Sequence, residues 1–191
     1  MTVLIVGLVI FLGVHSVGIF APAWREAQIV RLGPGPWKGL YSVVSAIGLG
    51  VLIYGFGVAR QAPVVLYTPP TALRHIAVLL MVPVFPLFIA AYLPGRIKAA
   101  AKHPMLLSVK FWAVAHLLAN GTLADVVLFG SFLLWAGADR IAVKRRPVPR
   151  VVPGAPASAA NDAIVVIAGI SIYLLFLLWA HRVLIGVSPL G

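Results

Sequence analysis

A chain of 191 residues that is 62% hydrophobic, with a mean hydropathy of +1.06, cannot cover itself with a polar surface; this excludes a soluble globular domain and leaves an integral membrane protein. The net charge of +11 does not point to nucleic acid, because the basic residues lie between apolar runs, where orientation signals belong. The absence of cysteine excludes disulfides, iron–sulfur clusters, cysteine-ligated zinc and thiolate nucleophiles.

The apolar runs are long and continuous rather than alternating, which argues against a membrane β-barrel and for an all-α transmembrane bundle of about six helices, forming one domain over residues 1–191. The first run, Thr2–Phe20, is long enough to span about 30 Å of hydrocarbon. It precedes Ala21-Pro22-Ala23, a faint cleavage pattern, but no basic residue comes before it and it exceeds a normal signal core, so it is read as a retained helix. Pro22 is read as its stop, and Ala21–Lys38 as a loop broken at Gly33-Pro34-Gly35-Pro36. A second helix is predicted over Gly39–Ala59, with Gly48, Gly50, Gly55 and Gly57 suited to close helix contact. A third is predicted over His75–Leu93, kinked by Pro83 and Pro86 and ended by Pro94-Gly95. The fourth, Pro104–Ala119, is short and closes at Asn120-Gly121. Leu123–Ile141 and Ala163–Arg182 are the fifth and sixth; Asp125 and Asp162 are read as their caps, and Lys144–Ala160 as a flexible basic Pro/Ala loop.

Six spans place eleven Lys and Arg residues on one side, Arg25, Arg31, Lys38, Arg96, Lys98, Lys102, Arg140, Lys144, Arg145, Arg146 and Arg150, against three on the other, Arg60, Arg74 and Arg182. The positive-inside rule therefore puts both termini outside and the Lys144–Ala160 loop in the cytoplasm.

Ionisable groups inside apolar runs mark function by default. Of the five histidines, His75 and His181 adjoin Arg74 and Arg182 at predicted helix ends and read as interface residues, while His103 precedes Pro104 and reads as a cap or headgroup contact. His15 and His116 lie within apolar runs; hydrogen bonding to a neighbouring helix is one reading of each, metal ligation the other. With Glu26, Asp125, Asp139 and Asp162 as the only acids, a three- or four-ligand metal site is hard to assemble, whereas a haem needs one or two axial side chains. Leu8, Phe11, Leu12, Gly18 and Ile19 share the His15 face, and Val109, Trp112, Ala113 and Asn120 flank His116, as a flat macrocycle or ordinary helix packing would have it. A depth offset of about 10 Å between the two histidines requires a tilted ring. Lys110 either snorkels to the interface or pairs with a haem propionate, and Asn120 either supports His116 or closes the turn after it.

FLGVHS at Phe11–Ser16, LYSVVSAIGLG at Leu40–Gly50, the basic stretch ending in KHP at Lys98–Pro104, WAVAHLLANG at Trp112–Gly121 and LFGSFLLWAGADR at Leu128–Arg140 together resemble the NnrU family of bacterial membrane proteins. The resemblance covers roughly Val6–Arg146. It implies a multi-pass protein of the bacterial inner membrane, associated with nitrite and nitric oxide reduction in denitrification and with the partner proteins of that metabolism. The family is similar to plant 15-cis-zeta-carotene isomerase, a membrane enzyme holding haem b between two histidines. The resemblance places those ligands on His15 and His116, with Trp112, Asn120 and Lys110 around the cofactor. The isomerase has a cysteine three residues before its second histidine, where this chain has Ala113, so a switch to thiolate ligation is closed.

Three functions follow as expectations: a haem b protein serving nitrite or nitric oxide metabolism, with a small gaseous ligand; a haem-dependent isomerase of a carotenoid-like polyene or other lipophilic substrate; and a transporter in which Lys110, His116 and Asp125 handle protons or anions. The topology is tested by reporter fusions: an enzyme active only in the cytoplasm is expected to be silent at the C-terminus and active within the Lys144–Ala160 loop.

Overall fold

The computed structural model describes residues 1–146 and 154–191, and among them every named element is helical, with one isolated bridge between Val65 and Thr122. In chain order the helices are α1 Thr2–Phe20, α2 Pro22–Leu32, α3 Pro34–Ala59, α4 Thr71–Met81, α5 Val84–Ala90, α6 Arg96–Ala101, α7 Pro104–Ala119, α8 Leu123–Arg145 and α9 Asn161–Leu175, then a π-helical turn at Phe176–Ala180 and α10 His181–Ile185. Five stretches are long and apolar enough to cross a membrane: Thr2–Phe20, Pro34–Ala59, Thr71–Ala90, Leu123–Arg145 and Asn161–Ile185. α7 has 16 residues, a rise of about 24 Å. Large apolar side chains on these stretches face outward, with Ile53, Leu134 and Leu178 exposed by 62%, 77% and 69%, as lipid permits and water does not.

Several boundaries differ from the sequence reading, each for a local reason. The expected loop Ala21–Lys38 is mostly helix. Pro22 does not end structure but starts α2 from its first position, and Gly33, at φ +86°, is the actual break. Pro34 then opens α3, and Pro36 lies in its first turn, where a missing N–H costs nothing. The third predicted helix starts four residues earlier than expected, directly after Pro70, and is split at Val82-Pro83. α6 occupies part of the basic loop and ends at Lys102, at φ 59°. α8 runs on to Arg145, so Asp139 and Arg140 lie within it. Of the loop expected at Lys144–Ala160, residues 147–153 lie outside the described residues.

The chain divides into two compact units. The first comprises Met1–Tyr67 and Gly121–Arg145. Here α1 packs on α3 through glycine. A Cβ added to Gly48 would lie 2.8 Å from the Phe11 nitrogen, and one added to Gly55 would collide with the Leu4 backbone. Gly50 and Gly57, each two residues on and so about 200° round the helix, meet nothing, so only half of the predicted glycines serve the contact. α8 packs against α1. Its start is held by a capping box, in which the Asp125 carboxylate accepts the Thr122 N–H at 3.1 Å and hydroxyl at 2.6 Å, while the Asp125 N–H donates to the Thr122 hydroxyl oxygen at 3.3 Å. The Leu123 N–H donates to the Val64 carbonyl at 2.8 Å and the Leu66 N–H to the Gly121 carbonyl at 2.8 Å, which ties the segment before Tyr67 to this end.

The second unit comprises Thr68–Asn120 and Arg146–Gly191. α5 is its centre, packed on α7 and α9. Gly169 lets α9 approach α5 so closely that an added Cβ would lie 2.5 Å from the Pro86 nitrogen. Buried Ser108 on α7 donates to the Val84 carbonyl at 2.8 Å. Asp162 does not cap its own helix by its side chain. Its carboxylate instead accepts the N–H groups of Arg96 and Ile97, at 2.8 and 3.1 Å, and so caps α6 from across the unit. Buried Asn161 donates to the carbonyls of Pro94 at 2.7 Å and Pro156 at 3.0 Å, fixing where α9 begins.

Gly55→Val is expected to lower stability by about 1–3 kcal/mol by forcing α1 off α3, whereas Gly57→Val leaves it nearly unchanged. Unfolding of the two variants in mixed detergent micelles checks this.

Candidate functional site

α7, like α1, has the bounds expected from the sequence: Pro104 preorganises its first turn and Asn120 leaves helical geometry at its end, at φ −129° and ψ 143°. One turn before that end, His116 Nδ1 donates to the Trp112 carbonyl at 2.8 Å. A carbonyl only accepts, so Nδ1 carries the proton and the lone pair of the neutral ring is on Nε2, the arrangement metal-binding imidazoles adopt. The Trp112 and His116 rings lie 5.3 Å apart. The Asn120 side-chain amide and backbone N–H both donate to the His116 carbonyl at 2.9 Å. Of the two roles expected for Asn120, these bonds match closure of the helix end.

His116 opens on a cavity of about 290 Å³ built wholly within the second unit. Met81, Phe85 and Phe176 give it apolar walls, and Arg74, Tyr173 and His181 supply polar groups. Its lining contains no acidic side chain. Tyr173 is locked by donation of its hydroxyl to the Val78 carbonyl at 3.1 Å. His181, read from sequence as an interface residue, lies here instead. Its ring centre is 6.5 Å from that of His116, with the planes 26° apart, and its Nδ1 donates to the Val187 carbonyl at 2.6 Å.

His15 belongs to the first unit. Its Nδ1 donates to the Phe11 carbonyl at 2.6 Å, the same tether to the fourth residue back that His116 makes. Phe11 lies 4.3 Å, Tyr41 5.2 Å and Trp135 6.0 Å from its ring centre. The Trp135 Nε1–H is buried without an acceptor among the described residues, a donor available to a ligand beside His15.

The other residues singled out in the sequence go elsewhere. Lys110 is six residues before His116, about 120° round α7, and is not among the residues lining the cavity. Arg74, at the start of α4, is the cation that does line it. Asp125 is occupied by its capping box in the first unit. His75 is exposed on α4, and His103 takes the position before α7 without a capping hydrogen bond from its side chain.

Among the described residues no group of three or more His, Cys, Asp or Glu side chains is placed to hold a metal ion. A haem brings four nitrogens of its own, so the test for it is narrower: an imidazole with its Nδ1 tethered, an apolar wall and a cation for a carboxylate. The cavity at His116 meets all three requirements.

Asn120→Ala is expected to reduce stability by about 1 kcal/mol through loss of one hydrogen bond at a helix end. Equilibrium unfolding in detergent measures it, and an Asn120→Ala protein as stable as the parent would remove the cap from this account.

Compared with known proteins, the chain matches the family described as "NnrU protein" over residues 3–189, nearly its whole length. No curated protein and no solved structure matches it.

Proposed function

The chain belongs to the NnrU family, and from that premise we propose that it is a haem b protein of the bacterial inner membrane that serves nitrite and nitric oxide metabolism. The observation that carries the reading is His116: an imidazole whose Nδ1 proton is held by its own helix at 2.8 Å, at the wall of an apolar cavity that also receives Arg74. A haem bound there would supply one-electron chemistry and a place for a small gas.

The chain's residues divide the remaining work. His116 would hold the haem iron, and the Trp112 carbonyl would fix the ring's orientation and raise its basicity. Met81, Phe85 and Phe176 exclude water. Arg74 would offer its guanidinium to a propionate, one of the two roles the sequence leaves open for Lys110. The resemblance implies His15 as a further haem ligand, and the Phe11 carbonyl would hold its ring as the Trp112 carbonyl holds that of His116. Membrane lipid is the constant partner, given the outward apolar faces of the long helices.

A second reading rests on the character of the same cavity. Apolar walls of Met81, Phe85 and Phe176 suit a lipophilic substrate such as a polyene, which a haem-dependent isomerase of this membrane would convert. Chromatography of polyene isomers after incubation with the reduced protein decides for or against it.

The main reading is tested by colour. Protein purified in mild detergent is expected to show a Soret band and a pyridine haemochrome of the b type. His116→Ala should lose most of that absorbance, and His75→Ala, altered at an exposed site, should keep it. Absence of the band from haem-replete, folded protein ends the reading.

A further inference from the structure

His181 lies outside the motifs that carry the resemblance in the sequence, yet the second unit holds it against His116. Three features put it there. The first is the π-helical turn at Phe176–Ala180. Eight residues of regular α-helix would leave His181 about 80° round from Tyr173, and a turn with one extra residue brings it back to the Tyr173 face. Tyr173 and His181 accordingly line the same cavity. The second is Gly186, left-handed at φ 80° and ψ 8°, which ends α10 and turns the chain so that the Val187 carbonyl accepts from His181 Nδ1. The proton of the neutral ring is thereby on Nδ1, as in His116, and the lone pair on Nε2. The third is the separation. With a metal–nitrogen bond of about 2.0 Å and a ring radius of about 1.1 Å, two imidazoles on opposite sides of one ion have ring centres roughly 6.2 Å apart. The observed distance is 6.5 Å, with near-parallel planes.

We propose that His181 is the second axial ligand of the iron held by His116. The inference rests on the haem reading above and changes one member of the pair that the resemblance implies. His116 and His181 are brought together by the packing of one unit alone, whereas His15 is fixed by Phe11, Tyr41 and Trp135 in the other. Both rings ligate as neutral imidazoles that keep their Nδ1 protons, so ligation needs no oxidant and releases no proton.

The experiment uses the full chain in detergent, stripped of any haem and reconstituted with haemin, and reads absorption and electron paramagnetic resonance. The parent protein should give a low-spin ferric spectrum. His181→Gly should keep haemin through His116 but turn high-spin, and added imidazole should restore the low-spin signal by filling the vacated place. That rescue distinguishes a lost ligand from a damaged fold. His15→Ala should remain low-spin. A low-spin His181→Gly without imidazole, alongside a high-spin His15→Ala, would overturn the inference and leave the haem reading intact. A parent protein that takes up no haemin would overturn both.

Discussion

A proline in the middle of an apolar helix leaves a carbonyl without its donor, and in lipid no water replaces it. Pro83 creates this problem in the second unit. The Val82 N–H turns to the Leu79 carbonyl at 3.2 Å, a tighter turn than the α-helix makes, and the Val78 carbonyl takes the Tyr173 hydroxyl at 3.1 Å. One tertiary hydrogen bond thus both completes the broken backbone and fixes α9 in rotation against α4. The cavity lies around that bond. Ala77, Val78 and Met81 line it before the break, Phe85 after it, and Tyr173, Phe176 and His181 face it from the C-terminal helices. The placement of His181 depends on Tyr173 being held there, since the π-turn that follows counts its rotation from that residue.

The polar groups of this unit are few and each is used at an end or a break. Asp162 caps α6, Asn161 ties two loop carbonyls, Ser108 meets Val84, and Asn120 closes α7. With Asp162 occupied by the Arg96 and Ile97 N–H groups, no acidic side chain reaches the cavity lining to compete for Arg74. The cation at the cavity is Arg74, with Gly191 beside its guanidinium.

The sequence made the membrane class, the all-helical fold and the limits of α7 legible, because hydropathy and the Pro104 and Asn120 boundaries are local signals. α2 was not legible, since Pro22 reads equally as an end and as a beginning, and only the Gly33 dihedral decides. Glycine content announced a close helix pair but not its phase; Gly48 and Gly55 face α1 while Gly50 and Gly57 do not. Asp162 stood where a cap was expected, yet its carboxylate serves a helix 66 residues earlier. His181 was the hardest to see. Beside Arg182 at a helix end it has the pattern of an interface residue, and nothing in the 3.6-residue period of the sequence discloses a π-turn.

α7, at 16 residues, rises about 24 Å, less than the roughly 30 Å of hydrocarbon that the five longer stretches can span. A bilayer meets such a helix by thinning around it or by leaving one of its ends below the headgroups. His116 lies one turn before the C-terminal end of α7, so the cavity it lines sits at an end of this short helix. How far a bilayer thins around α7 therefore decides what borders that end. Acyl-chain length and order become control variables for this protein in the way that pH or ionic strength is for a water-facing one.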